Sequence, residues 1–381
     1  MKIPRSNLVI VRMFPVFKDE ACRCFGAGFL LSSSFSIVCS VPLSELQLIE
    51  RIRRHAKPGA RVAGARITKA IGDDCAVLEM TAGYETLVTT DFSLEGVHFR
   101  RDWHPAEVVG HRCLTRGLSD IAAMGGEPVA AFLSLALPGD LPQKWVDGFL
   151  DGVLHLAQQF GVTLAGGDIA QSASGVLADI MVVGTVPRGE AIFRSGAKPG
   201  DHLYVTGELG AASTMLERMM ANPRRRYRPA ESPAHFFPQP QIKVARYLRE
   251  KKIASAMIDI SDGLSTDLTH LCDESGVRAE VQAETIPIAS IGKQEVPLDN
   301  ALHGGDEYQL LFTAPANKRV PSDIAGTAIN QIGYIEAPRK HLPKILLFEG
   351  NDAELGVELL PKGWEHFAEG KGQRAKGKTK T

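Results

Sequence analysis

The 381-residue chain carries 43 Lys and Arg against 44 Asp and Glu, a balance that implies no polyanion-binding surface and argues against nucleic acid as a partner. Its length allows two domains with substantial cores, and its apolar and charged shares, 44% and 23%, are those of a globular protein. Cys22, Cys24, Cys39, Cys75, Cys113 and Cys272 form no C-x-x-C pair and no disulfide or zinc framework, so a reducing cytoplasm is the expected compartment.

Residues 1–43 read as an extension from an upstream start codon, with the protein proper opening near Val41-Pro42-Leu43-Ser44; a signal peptide is the alternative. The apolar run 25–42 is short and serine-rich for a membrane span, and no membrane partner is expected. Ser44 caps a short helix carrying Leu46, Ile49 and Ile52. Strands follow at 76–80 and 86–90, the second ending at Asp91. After Pro105, Leu114, Leu118 and Ile121 recur at helical spacing and place Asp120 near the C-terminal part of a helix.

A strand at 130–137 precedes a helix with Trp145, Phe149, Val153, Leu156 and Phe160 in phase, an aromatic stripe of the core kind. Strand 162–165 then runs into Gly166-Gly167-Asp168, and 178–186 supplies another. A second domain begins near Pro187, with a strand at 203–206, a helix from Gly210 and a Pro- and Arg-rich loop over 222–241 that reads as solvated. Strand 256–260 leads into Ser261-Asp262-Gly263 and a helix with Leu264, Leu268 and Leu271 on one face. That arrangement puts Asp259 at a strand end and Asp262 at a helix N-terminus, where amides and dipole favour phosphate or carboxylate. The expected organisation is an extension over 1–43, an N-terminal domain over 44–187, a C-terminal domain over 188–367 and a disordered basic tail over 368–381.

The most informative pattern is a series of Asp motifs: Gly72-Asp73-Asp74, Thr89-Thr90-Asp91, Leu118-Ser119-Asp120, Gly166-Gly167-Asp168, Asp259-Ile260-Ser261-Asp262-Gly263 and Gly304-Gly305-Asp306-Glu307. A single Gly-Asp is more often a turn than a ligand. A set that mostly follows apolar runs delivers many carboxylates to one rim, where like charges need cations, and hard oxygen donors select magnesium or calcium. The chain has no P-loop, no G-x-G-x-x-G and no H-R-D or D-F-G set. A multi-magnesium site for a polyphosphate, with direct phosphoryl transfer from ATP, is the chemistry this pattern suits.

Taken in order over residues 44–367, these motifs resemble the thiamine-monophosphate kinase family, together with Glu95-Gly96-Val97-His98-Phe99, Arg194-Ser195-Gly196-Ala197-Lys198-Pro199-Gly200-Asp201 and Gly304-Gly305-Asp306-Glu307-Tyr308. The resemblance implies an α/β (α+β), two-domain aminoimidazole-ribonucleotide-synthetase-like fold, a homodimer whose N-terminal sheets form a shared barrel, and ATP-dependent phosphorylation of thiamine monophosphate to thiamine diphosphate. Carried across by position, Asp74, Thr89, Thr90, Asp91, Asp120, Asp168, Asp259 and Asp262 match magnesium ligands, with Asp91, Asp120 and Asp168 at the catalytic centre. Gly167, Arg194 and Ser261 match ATP contacts; His98, Asp306 and Trp364 match groups near thiamine monophosphate.

The chain departs from the family in two places: Gly117 replaces the usual Asn before Leu-Ser-Asp, and Gly-Gly-Asp-Glu replaces Gly-Gly-Glu-Asp. The alternatives are another ATP-dependent enzyme of the superfamily, such as selenophosphate synthetase, and a nucleotide- or thiamine-phosphate-binding protein without turnover. The first wants a reactive Cys near the start of the fold, and Cys75 reads as a small buried residue instead.

Overall fold

The computed structural model describes residues 43–56, 64–72, 74–350 and 356–366. The N-terminal run, Asp73 and the basic tail lie outside the described residues, as does the expectation attached to each.

Helix α1 (Glu45–His55) follows Ser44, whose amide donates to Gln47 Oε1 at 3.1 Å. Its core face is Leu48 and Ile52, one turn apart; Leu46, expected on that face, is 78% exposed. Strands β1 (Ala65–Lys69) and β2 (Val77–Met80) form an antiparallel pair. Strands β3 (Tyr84–Leu94), β4 (Glu127–Pro138), β5 (Thr163–Ser172) and β6 (Leu177–Pro187) then build a sheet of order β3-β6-β4-β5. β4 and β5 run parallel, and the other pairs are antiparallel.

Helices α2 (Ala106–Ala123) and α3 (Gln143–Phe160) share one core with this sheet. Leu114, Leu118 and Ile121 of α2 and Phe149, Val153 and Leu156 of α3 are buried as their spacing requires, each worth roughly 1.5–3 kcal/mol. Gly117 faces the same sheet, and a Cβ there would lie 2.5 Å from Val182 Cγ2. In this chain Val182 fills the space that a larger residue at 117 would need.

Two strands run further than their apolar stretches suggest. β3 does not end at Asp91 but pairs with β6 from Tyr84 to Leu94, and β5 continues through Gly166-Gly167-Asp168 beside β4 to Ser172. Backbone ladder bonds to a long neighbour carry both strands past their apolar residues.

The C-terminal half centres on a second, eight-stranded sheet. Its strands are β7 (Asp201–Thr206), β8 (Ala256–Ile260), β9 (Arg278–Gln282), β12 (Gln309–Pro315), β13 (Asp323–Ile324), β14 (Thr327–Glu336), β15 (Ile345–Phe348) and β16 (Val357–Glu358), with the small hairpin β10 (Ser290–Ile291) and β11 (Gln294–Glu295) apart. Around it lie α4 (Ala211–Ala221), α5 (Pro233–Phe236), α6 (Ile242–Glu250), α7 (Leu264–Ser275) and α8 (Leu298–His303). Leu264, Leu268 and Leu271 of α7 pack on this sheet's core. The 222–241 segment is solvated at Arg224, Arg225, Arg226 and Arg228, but its α5 buries His235 and Phe236. Among the described residues no helix is long and apolar enough to cross a membrane.

Candidate active site

The site lies where β3 and α2 of the N-terminal half meet the end of β8 in the C-terminal half. Thr89 and Asp91, two apart on β3, face α2; Thr89 Oγ1 donates to Asp120 Oδ2. Ser119, beside Asp120, donates to Asp259 Oδ2 at 2.6 Å. Asp262 follows β8 by two residues and adds a further carboxyl, electrostatically felt by Asp259.

Burial dominates the titration of this group. It raises Asp91 to about 6 against the opposing pull of Arg116, and raises Asp120 to about 7 with a further push from Asp259. Burial raises Asp259 and Asp262 as well. Closely set carboxyls of this kind favour a cation among them, which relieves both their desolvation and their mutual repulsion.

Not every sequence-predicted ligand joins this group. Cross-strand register sets Asp91, Ile180, Leu133 and Gly167 in one row, and Phe92, Asp179, Ser134 and Asp168 in the next. Adjacent rows face opposite sides of a sheet, so Asp168 is on the face away from Asp91. Thr90 is on that outer face too, its hydroxyl 2.6 Å from Asp179 Oδ1. Asp74 lies on an exposed bend between β1 and β2.

Gly167 has φ +143° and a Cβ there would fall 1.9 Å from Leu133 O, so the position admits only glycine. A cavity of about 440 Å³ opens beside the acidic group, lined by apolar Leu87, Met124, Ile192, Phe193 and Met257 and by polar Thr89, Asp120, Asp259 and Arg194. Of the residues matched to ATP, Arg194 lines this cavity; Gly167 and Ser261 do not. A larger cleft of about 850 Å³ lies by the N-terminal part of α2, among His55, His111, His155 and Phe237, and holds none of the predicted residues.

The amides before α7 are already engaged. Asp267 Oδ2 accepts from the N–H groups of Ser261, Asp262 and Gly263 at 3.1, 3.1 and 3.0 Å. The expected phosphate perch at this helix N-terminus is thus filled by the chain's own carboxyl, which burial and Asp259 raise to about 8. An acidic residue one turn into a helix after Ser-Asp-Gly is the signal that marked it.

The Asp306-Glu307 pair divides its work. Both oxygens of Asp306 are held: Oδ2 by Arg112 at 2.7 Å, and Oδ1 by Arg116 at 3.1 Å and the Tyr308 hydroxyl at 2.6 Å. Burial alone would raise this carboxyl, but the two guanidiniums and the hydroxyl outweigh it and keep Asp306 well below the usual range. Glu307, 3% exposed, turns the other way to accept from Gly210 N and Ala212 N at the start of α4. Burial raises it to about 8. Asp306 and Tyr308 both have positive φ, 64° and 53°, a backbone that costs a non-glycine residue about 1–3 kcal/mol and that aims the two side chains at each other.

Near this pair, His98 Nδ1 accepts from Leu94 N at 2.9 Å, leaving Nε2–H as a donor. Burial, with Arg116, lowers the ring to about 4, so it is neutral at pH 7. His98 meets His366 edge-on at 5.5 Å, and His366 meets Trp364 at 5.6 Å. Trp364 N is bonded to Asp262 O at 3.0 Å and its side chain is half exposed. Arg112, Arg116, Asp267 and His366 are the site residues that motif reading did not single out.

The two α/β halves are those of the AIR synthase related proteins: their N-terminal domain family matches residues 72–186 and their C-terminal domain family residues 198–342. Relatives narrow the class. The thiamine-monophosphate kinase of Aquifex aeolicus is 34% identical over 79% of this chain and 94% of its own length. The crystal structure of thiamine-monophosphate kinase from Stenotrophomonas maltophilia K279a superposes with a TM-score of 0.68 at 32% identity, covering 80% of this chain and 96% of that one. The structure of AaThiL complexed with AMPPCP and TMP gives 0.66 at 30% identity over 84% and 96%. The chain belongs to the thiamine-monophosphate kinase family.

Proposed function

We infer that this chain transfers the γ-phosphoryl group of ATP to thiamine monophosphate, giving thiamine diphosphate and ADP. Family membership supports it, and the observation that carries it is the position of Asp120. This carboxyl lines the apolar-walled cavity and sits one helical turn from Arg116, which faces Asp91 and Asp306. Nucleotide on one side and acceptor on the other would meet across Asp91 and Asp120.

The donors suit magnesium. Among the described residues no group of three His, Cys, Asp or Glu side chains converges on one point, but magnesium usually takes only one or two carboxylates and completes its shell with water and substrate phosphates. Hard oxygens of Thr89, Asp91, Asp120, Asp259 and Asp262, most of them part-buried and one, Asp259, buried, fit that mode. When bound, magnesium neutralises phosphate oxygens of both substrates and so reduces their repulsion. Thr90 and Asp168, with Asp179, present further hard oxygens on the other face of the sheet.

The acceptor oxygen is ionised near neutral pH, so no residue has to remove a proton. Thr89 and Ser119 hold Asp120 and Asp259 in place; Arg194 meets nucleotide phosphate; neutral His98 offers Nε2–H, and Trp364 an aromatic face, to the acceptor.

A homodimer and a cytoplasmic setting belong to the same reading. Val88, Phe92, Leu177 and Met181 are exposed on the outer face of the N-terminal sheet, an apolar patch that suits a second copy. Cys113 and Cys272 are buried free thiols, and Cys75, read from the sequence as buried, is instead an exposed one; free thiols suit a reducing compartment. Incubating the purified chain with thiamine monophosphate, ATP and magnesium tests the reaction: equal amounts of thiamine diphosphate and ADP are expected, and their absence would overturn it.

A further inference from the structure

We propose that Arg116 is a catalytic residue that binds the phosphate of the acceptor and stabilises charge on the phosphoryl group in flight. The proposal rests on the phosphoryl-transfer reading above.

Two arginines reach Asp306, and they are not equivalent. Arg112 is 5% exposed at its side chain and spends one nitrogen on His235 O and another on Asp306. It is an anchor. Arg116 projects from the same face of α2 one turn on, and among the described residues it makes one hydrogen bond, to Asp306 Oδ1. Its Nη1 stands 3.7 Å from Asp91 Oδ1, too far for a hydrogen bond. A guanidinium has five N–H donors, so most of those on Arg116 remain unspent.

Position says which substrate they would meet. Arg194 lines the cavity together with Asp120 and Asp259. Arg116 is not part of that lining: it pairs with Asp306 and stands beside Asp91, and His98 and Asp262 both feel its charge. The two guanidiniums thus serve different parts of the site, Arg194 in the cavity assigned to nucleotide and Arg116 beside Asp306 and His98, the residues matched to the acceptor. Asp306, itself pinned by Arg112 and Tyr308, tethers one nitrogen of Arg116 before substrate arrives, which limits the search a planar fork must make to meet a phosphate.

In the step itself an ionised oxygen of the acceptor phosphate attacks the γ-phosphorus, the bond from that phosphorus to the β-bridging oxygen breaks, and ADP leaves with the electron pair. No proton moves. Arg116 contributes N–H donors to the non-bridging oxygens throughout.

Removing phosphate from the ligand separates this role from a structural one. Dissociation constants for thiamine monophosphate and for thiamine are measured with wild type, Arg116→Gln and Arg116→Lys, alongside kcat at saturating substrates over a magnesium series. In Arg116→Gln, thiamine monophosphate should bind about tenfold or more weakly while thiamine stays within about twofold, and kcat should fall by about a hundredfold at every magnesium level. Lysine should recover part of both losses. Equal weakening of the two ligands, or kcat restored by magnesium, would make Arg116 a structural counter-ion and overturn the proposal. If Arg116→Gln does not fold, Arg116→Lys decides alone: a phosphate-selective loss upholds the contact, and unchanged selectivity removes it. Wild type that binds both ligands but forms no thiamine diphosphate would overturn the underlying reaction, and the binding comparison would still judge the Arg116 contact.

Discussion

Ser119 Oγ donates to Asp259 Oδ2 at 2.6 Å, so a hydroxyl on α2 of the N-terminal half holds a buried carboxyl near the end of β8 in the C-terminal half. The site is therefore assembled by the docking of the two halves. Ser119→Ala should leave Asp259 buried with one donor fewer, at a cost of about 1–3 kcal/mol. Urea unfolding would show the loss, and turnover should fall while the far-ultraviolet dichroism stays unchanged.

Asp91→Asn and Asp120→Asn should abolish turnover yet raise the melting temperature of the metal-free protein, because each removes one of several closely set, part-buried like charges. A variant that keeps near-normal activity at saturating magnesium would exclude that residue as a ligand.

Stability should fall with rising pH in the absence of metal. Asp120, raised to about 7, and Asp267 and Glu307, raised to about 8, keep protons that the unfolded chain has already released, so their contribution is present at low pH and lost through about pH 7–8. His98 and His104, lowered to about 4, act oppositely: their contribution is full above about pH 6.5 and lost toward pH 4. Between about pH 6.5 and 8.5 the carboxyls alone decide the slope. Calorimetry should show the melting temperature dropping over this window, with the gain on adding magnesium growing as pH rises.

Glu307 and Asp306 should fail differently. Glu307→Ala leaves Gly210 N and Ala212 N without their acceptor and should cost about 2–4 kcal/mol of stability, whereas Glu307→Gln keeps an acceptor oxygen and should be nearly silent. Asp306→Asn should cost about 1–3 kcal/mol of stability and also weaken thiamine monophosphate, since Arg112 and Arg116 lose their shared counter-ion.

The two substrates should separate by mutation. His98→Ala or Trp364→Ala should chiefly raise the Michaelis constant for thiamine monophosphate by about tenfold, and Arg194→Ala that for ATP. Steady-state kinetics with each substrate varied would reverse the assignment if His98→Ala weakened ATP alone.

Local patterns in the sequence were enough for α2, α3 and α7, though not for the buried face of α1, where Leu46 is exposed. Leu114, Leu118 and Ile121, or Leu264, Leu268 and Leu271, recur at a spacing that the backbone's own period turns into one face, and they are buried as read. The ordered aspartate motifs likewise carried the family, because short contiguous segments preserve both residue type and spacing. What each aspartate touches was decided elsewhere. Whether Asp168 shares a face with Asp91 depends on how far β5 and β3 continue, and that is fixed by the length and register of β4 and β6 rather than by the residues themselves. The division between Asp306, held by an arginine 194 positions away, and Glu307, turned into the start of α4, reverses no local rule. Local sequence has no means of expressing it, because the energies of buried charges depend on which distant donors and cations the packed chain brings within a few ångströms.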